Sequence, residues 1–592
     1  MHMRPQSRRR PTTPLVALVV AALATTTACG SPPLAEQPTT EARRILAATA
    51  PAWAAGAADT AHDAQLTASV LLAESAGSAE VADVRDWLAQ NGLTVTGERA
   101  SIHALTFTGR TSTIARVFDT SFGETFIGGR AAVAPTRDLS VPAGLTVVES
   151  VAGLVDTEAM RPTTAAAPER TDDCAEYWGQ TLSASWPASV AVEHRSNALC
   201  GYGPAQLRAV HELPSDATGA GATVAIVGVF DDDRVAANTD TYFTGQGLPA
   251  LRAGQYTHEP PAAPDTTRCG GPSAWTVEQH LDVQAVHAVA PDADIVYWGA
   301  NDCLASTLYL RVLDAVEAPV RPSVVSLSFG GPEDLDTDAD RTLLNRVLVE
   351  AASRGVSVFA SSGNDGDYSL AGDHHDETDV ATPASSPYIT AVGGASIGLD
   401  AGDRVEVEAG WEVQTRFAQN GGIIPPGFLY GAGGGESVFS PRPSWQSARI
   451  AHAGTGRLVP DVASLADPNT GFTIAVPRGD TLAYEAHGGT SLATPMVASV
   501  VAIAKARTGV QVGLAAPYLY DLAGSSAFRD VVPASAGTWY RRAASTGQLW
   551  LETLYLWDTR PQSLQSAPGW DPVTGIGIPR GADFLDRFGA ER

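Results

Sequence analysis

Two sets of residues have types and spacings suited to bond-breaking chemistry. The first is Gly488-Gly489-Thr490-Ser491-Leu492-Ala493-Thr494-Pro495, which leads into an apolar run from Met496 to Ala504. Paired glycines permit a tight turn, so the pattern predicts Ser491 at the N-terminus of a helix. Unpaired backbone N–H groups and the positive end of the helix dipole face that place. They would suit both a hydroxyl nucleophile and the oxyanion it creates. The structural alternative is a Thr/Ser helix cap after a glycine turn. A serine nucleophile needs a base, and the second set supplies one without histidine. Glu278 and Asp282 lie in Glu278-Gln279-His280-Leu281-Asp282, a spacing that puts both carboxylates on one helix face. Val277, Leu281, Ala285 and Ala288 form a neighbouring apolar stripe that would fix this helix on a sheet. Two like charges held close and partly desolvated raise at least one pKa. Such a pair shares a proton, so Glu278 could accept the serine proton while Asp282 orients it. An isolated Glu-x-x-x-Asp is more often a solvated face. Here it stands just before the strand entry Ala290-Pro291-Asp292-Ala293-Asp294-Ile295.

Positioning these groups needs a scaffold, and the apolar pattern predicts one. Strand-like runs occur at Thr223–Phe230, Asp294–Trp298, Ser323–Ser328, Val356–Ala360 and Tyr388–Val392. Helical patterns at Thr276–Val289, Ala305–Val316 and Arg341–Arg354 separate several of them. Near-continuous apolar strands alternating with helices predict an α/β fold, a parallel sheet with helices on both faces. Sites in such sheets lie at the carboxyl ends of the strands. Upstream, residues 64–155 read as a small α+β domain, with helices at Ala79–Gln90 and near Thr111–Phe118 and strands at Leu93–Val95 and Ile102–Phe107. Residues 30–63 are rich in Ala, Pro and Thr and read as a flexible tether. Residues 156–200 read as a linker and processing region, and residues 201–592 as the main domain.

Length and composition agree with more than one domain: the chain has 592 residues, 44% of them hydrophobic and only 18% charged. A net charge of −26 disfavours a nucleic-acid role, which needs a basic face. Arg4, Arg8, Arg9 and Arg10, then the short apolar run Leu15–Ala24, predict an export signal over residues 1–29. Thr26-Thr27-Ala28-Cys29 resembles a bacterial lipobox, so attachment to a membrane through a lipidated Cys29 is expected, with simple cleavage as the alternative. The expected localisation is extracellular or at the cell surface. Of the five cysteines, four then remain, and an even set in an exported chain favours disulfides. The neighbouring pairs Cys174–Cys200 and Cys269–Cys303 are the expected choice among the three connectivities.

Beyond these readings, the chain resembles the sedolisin, or serine-carboxyl peptidase, family, including its kumamolisin-like members. The Glu278–Asp282 helix is similar to the family's E-x-x-x-L/I-D-type helix. Ser326-Leu327-Ser328-Phe329-Gly330 resembles its S-x-S-W-G strand, and Gly433-Gly434-Gly435-Glu436-Ser437 its glycine-rich landmark. Pro443-Ser444-Trp445-Gln446 and Val459-Pro460-Asp461-Val462 also fit. Residues 64–154 resemble the family's activation propeptide, and Gly201-Tyr202-Gly203-Pro204 the opening of its catalytic domain. The resemblance implies a subtilisin-like fold, a self-processing precursor and peptide-bond hydrolysis through an acyl-enzyme on Ser491. Its partners would be protein or peptide substrates and its own propeptide. The resemblance also implies a calcium site made by Asp530, Val531, Ala567, Gly569 and Asp571, in which two carboxylates and backbone carbonyls would hold a hard cation. Three positions depart from the family pattern. Asn364, in Gly363-Asn364-Asp365-Gly366, stands where the family's oxyanion Asp is usual. Phe329 replaces the strand tryptophan, and Gly228 stands where some members carry a further Glu. The expected activity is that of an endopeptidase. A tripeptidyl aminopeptidase of the same family and an inactive peptide-binding surface protein are the alternatives.

Overall fold

The computed structural model describes residues 42–59, 63–127, 130–158, 160–166, 174–182, 194–368, 380–419, 422–423, 427–532, 538–543, 549–555 and 564–590. The expected export signal and Cys29 lie outside the described residues. Residues 43–592 form one compact unit. No helix among the described residues is long and apolar enough to cross a membrane.

The main domain is built on an eight-stranded sheet. In spatial order its path runs Tyr256–Glu259, Asp294–Ala300, Thr223–Val229, Val324–Leu327, Ser357–Ser361, Thr390–Leu399 and Val405–Gly410. Val462–Leu465 also pairs with Thr390–Leu399. All pairings are parallel except that of Thr390–Leu399 with Val405–Gly410. The expected parallel α/β sheet is therefore present. Its strands read as continuous apolar runs because both faces are covered. Val224 and Ile226 point into one core, while Ala225, Val227 and Val229 point into the other. Helices Pro272–Val289 and Thr490–Thr508 fill the first core with Leu281, Val283, Ala285, Leu492, Met496 and Val497. Helices Ala305–Glu317 and Asp338–Ser353 fill the second. The carboxylate helix and the serine helix thus lie on the same face of the sheet.

The N-terminal domain is a four-stranded antiparallel sheet with helices Ser78–Gln90 and Thr111–Val117, and it has a core of its own. Within the expected tether, Arg43–Leu46 pairs with Leu139–Pro142, and Ala58–Asp59 pairs with Phe122–Ile127. Residues 43–46 and 58–59 of that segment are held by backbone pairing, and the Arg43 guanidinium donates to the Val117 carbonyl at 2.8 Å. Neither contact leaves a local hydrophobic period. Both expected disulfides are present, with Cα–Cα distances of 5.1 Å for Cys174–Cys200 and 5.8 Å for Cys269–Cys303. A separate sheet made of Arg195–Asn197, Thr538–Ala543, Leu549–Tyr555, Glu412–Gln419, Gly422–Ile423 and Gly427–Gly431 was not expected from the sequence.

Candidate active site

Cys269 is tied to Cys303, and Gly270 and Gly271 both take φ of +74°. Pro272 then opens the helix at its first turn, a place where its missing N–H is harmless. Two turns on, Glu278 and Asp282 are buried at 3% and 2% exposure. Ser328 Oγ donates to Asp282 Oδ1 over 2.7 Å. Burial pushes Glu278 above the usual carboxylate range, while the Thr164 and Ser491 hydroxyls pull it partly back. Burial also raises Asp282, and the Glu278 charge beside it raises it further. The two groups therefore compete for charge and can hold one proton between them, as their spacing predicts.

Ser491 sits in the first turn of the helix Thr490–Thr508, fully buried. Gly489, at φ +95°, makes the turn before it. A side chain there is excluded twice, by the positive φ and because its Cβ would lie 2.0 Å from the Thr163 carbonyl oxygen.

That carbonyl belongs to the linker, which threads the cleft as an extended strand. Arg161 and Pro162 pair antiparallel with Gly330 and Phe329. Ala165 and Ala166 pair antiparallel with Gly488 and His487. Between them, the Thr163 N–H donates to the Ser328 carbonyl at 3.2 Å. The Thr163 carbonyl accepts from Asn364 Nδ2 and, at 3.4 Å, from the Ser491 N–H. The Thr163 hydroxyl lies 2.7 Å from Ser491 Oγ, and the Thr164 hydroxyl donates to Glu278 Oε2.

Asn364 is oriented by Thr490. The Thr490 N–H donates to Asn364 Oδ1 at 3.0 Å, and the Thr490 hydroxyl lies 2.9 Å from the same oxygen. This leaves Nδ2 facing the Thr163 carbonyl. Asp365, the next residue, is exposed. Chemically, the arrangement offers a hydroxyl, a proton-sharing carboxyl pair and two N–H donors aimed at one backbone carbonyl.

Ser491, Glu278, Asp282 and Asn364, predicted from distant parts of the sequence, thus meet at one place. Several partners escape sequence reasoning. Thr163 and Thr164 lie in a Pro/Ala/Thr-rich stretch with no periodicity. Ser328 lies in a motif noted for its resemblance, with no role attached to it. Tyr297 fills the place left by Gly228: a Cβ on Gly228 would lie 2.5 Å from the Tyr297 hydroxyl. The only sequence signal there is the missing side chain. Arg268, one residue before Cys269, grips Asp156 at the end of the N-terminal domain, with Nη2 to Oδ2 at 2.8 Å.

The expected calcium ligands lie apart from this cleft. Asp530 Oδ2 accepts from the Gly569 N–H at 2.8 Å. Asp571 accepts from the Val573 and Thr574 N–H groups at 2.8 and 2.7 Å and from the Ala567 N–H at 3.3 Å. Both carboxylates therefore converge on the loop 567–571. Burial pushes Asp571 up to about 7, while the hydrogen bonds from Thr574, Val573 and Ala567 pull it partly back. Among the described residues, no group of three or more His, Cys, Asp or Glu side chains could hold a metal. Both Asp571 oxygens are thus already hydrogen-bonded, the Thr574 hydroxyl adding a bond at 2.7 Å, whereas Asp530 is exposed beside the Gly569 backbone and is of a type that a hard cation takes.

Known families and proteins match this chain in the same two parts. The subtilase family model matches residues 266–511. The model of the pro-kumamolisin activation domain matches residues 61–157. Kumamolisin from Bacillus sp. (strain MN-32) is 32% identical over 401 residues, covering 66% of this chain and 64% of that protein. Sedolisin from Pseudomonas sp. (strain 101) is 23% identical, with 71% and 66% covered. Human tripeptidyl-peptidase 1 is 27% identical, with 56% and 54% covered. The chain thus spans somewhat under two thirds of the length of kumamolisin and about half of human tripeptidyl-peptidase 1. The solved structure of Pseudomonas sedolisin complexed with pseudo-iodotyrostatin superposes with a TM-score of 0.52 at 23% identity, covering 66% of this chain and 98% of that one, and shares the fold. Fold and matches together define a subtilase-type α/β domain preceded by an activation domain. Within that class, the chain is similar in sequence to kumamolisin and sedolisin.

Proposed function

We propose that this protein is a serine-carboxyl endopeptidase made as a self-processing precursor, and that its first substrate is its own Thr163–Thr164 bond. The observation that carries this reading is the Thr163 carbonyl, held by the Asn364 amide and the Ser491 N–H while Glu278 bonds the residue on the other side of the bond. Ser491 Oγ attacks the Thr163 carbonyl carbon and its proton passes to Glu278, which Asp282 supports. The tetrahedral oxyanion is held by Asn364 Nδ2 and the Ser491 N–H. As the C–N bond breaks, the Thr164 nitrogen takes the proton back from Glu278, and Thr163 remains as an ester on Ser491. Water, deprotonated by Glu278, then hydrolyses that ester.

Endopeptidase action is favoured over tripeptide release by the residue upstream of Arg161. A tripeptidyl peptidase must close its cleft behind the third residue before the cut bond. Here the chain continues past Arg161 into Met160, which is 3% exposed and packed in the second core.

Calcium is the proposed structural ion of Asp530 and Asp571, with the Val531, Ala567 and Gly569 carbonyls completing its shell. Export and lipidation at Cys29 complete the proposal. Acyl labelling that persists after Cys29→Ala would remove the lipid assignment.

The test of the main reading is to purify the precursor with no other protease present and to sequence the new N-terminus. A mature chain beginning at Thr164, absent from the Ser491→Ala protein, is the expected result. Self-cutting of Ser491→Ala, or a first cut at another bond, overturns it.

A further inference from the structure

Thr163 presents its side chain as well as its carbonyl to the cleft. Its Oγ1 donates to Ser361 Oγ over 2.9 Å. Ser361 ends the strand Ser357–Ser361 and is fully buried, and Thr163 is 5% exposed. Ser361 Oγ in turn lies 3.3 Å from the Phe329 carbonyl, to which it donates. Phe329 belongs to the strand that pairs with Pro162. A hydroxyl has one proton and two lone pairs. With its proton committed to Phe329, Ser361 can only accept from the side chain that enters. The floor of this pocket is therefore a buried acceptor made for a donor on the residue just before the cut bond.

We propose that Ser361 is a specificity-determining residue and that the enzyme selects peptides carrying threonine or serine immediately N-terminal to the cleaved bond. The inference rests on the register proposed above, in which Thr163 supplies the cleaved carbonyl. Valine has the shape of threonine without the hydroxyl, so it isolates the hydrogen bond from size. A neutral hydrogen bond of this kind corresponds to roughly two- to tenfold in specificity. The Ser361 contact is made in the bound peptide, so the difference falls mainly in KM. The Thr163 hydroxyl also touches Ser491 Oγ. That second contact is independent of Ser361, and a Ser361 variant separates the two.

The experiment uses the full-length chain after it has matured itself. Quenched fluorescent peptides of the linker sequence Met-Arg-Pro-X-Thr-Ala-Ala are compared, with X as Thr, Ser, Val or Ala. Thr and Ser should exceed Val and Ala by roughly two- to tenfold in kcat/KM, with Ser361→Ala bringing the Thr-to-Val ratio close to unity. The substrate arm needs no variant, so a misfolded Ser361→Ala does not leave the question open. Equal cleavage of the Thr and Val peptides by the wild type overturns the proposal. So does a Thr-to-Val ratio that Ser361→Ala leaves unchanged. Cleavage of these peptides at a bond other than X–Thr overturns the register itself, and the proposal with it.

Discussion

Replacing Asn364 with Asp tests the oxyanion assignment through pH. In the wild type, Thr490 holds Oδ1 and leaves Nδ2 as a donor toward the carbonyl. An amide donates at every working pH. In Asn364→Asp, one carboxyl oxygen would keep the Thr490 bonds and the other would face the oxyanion, so only the protonated acid could donate. Losing one oxyanion donor costs about 2.7–4 kcal/mol, or about 10²–10³ in turnover. Above the pKa of the new acid, its protonated fraction falls about tenfold per pH unit. The ratio of wild-type to variant turnover should therefore be small in acid and climb about tenfold per unit, levelling off after about two to three units. Asn364→Ala should show that full loss at every pH. The assay is turnover of one peptide by the three proteins from acid to mildly alkaline pH. Glu278 and Asp282 titrate in all three and cancel in the ratio. Superimposable profiles for wild type and Asn364→Asp would refute the reasoning. So would an enzyme that only Asp365→Ala disables.

Four further outcomes are expected. Glu278→Gln should leave the precursor almost as uncut as Ser491→Ala does, read by the amount of mature chain formed, because the amide cannot take the serine proton. Burial raises Glu278 and Asp282, so the folded precursor binds protons that the unfolded chain releases. Their contribution is fully present below the ordinary carboxylate range and is lost as pH rises toward the raised values. Denaturant midpoints of uncut Ser491→Ala should therefore fall more between acidic and neutral pH than those of Ser491→Ala with Glu278→Gln; parallel curves would contradict this. Arg268→Ala removes the bidentate grip on Asp156 and should weaken retention of the N-terminal domain by about 1.5–3 kcal/mol, measured as its dissociation constant after cleavage. Chelator should lower the melting temperature of the wild type more than that of Asp530→Ala or Asp571→Ala, because only the wild type gains stability from the bound ion; equal shifts would remove the calcium assignment.

Local chemistry made much of this protein legible without coordinates. The Gly-Gly-Thr-Ser turn, the Glu278–Asp282 face and the alternation of apolar strands with helices are short-range patterns, set by backbone freedom and helical period. They were enough to anticipate the parallel sheet and to single out Ser491, Glu278 and Asp282, whereas Asn364 was singled out only through the family resemblance. The neighbouring disulfide pairs followed the same short-range logic. What the tertiary structure decided spans long separations. Thr163 and Thr164 reach Ser491 and Glu278 only because the linker adds a strand to each side of the cleft, and strand addition uses backbone groups that every sequence carries. Residues 43–59 join the N-terminal domain for the same reason. Tyr297 occupies the space opposite Gly228, and Ser361 forms the floor under Thr163, through contacts between separate strands of one sheet or across the cleft. Side-chain type and spacing encode which groups can do chemistry, but backbone pairing at long range decides which bond they are aimed at.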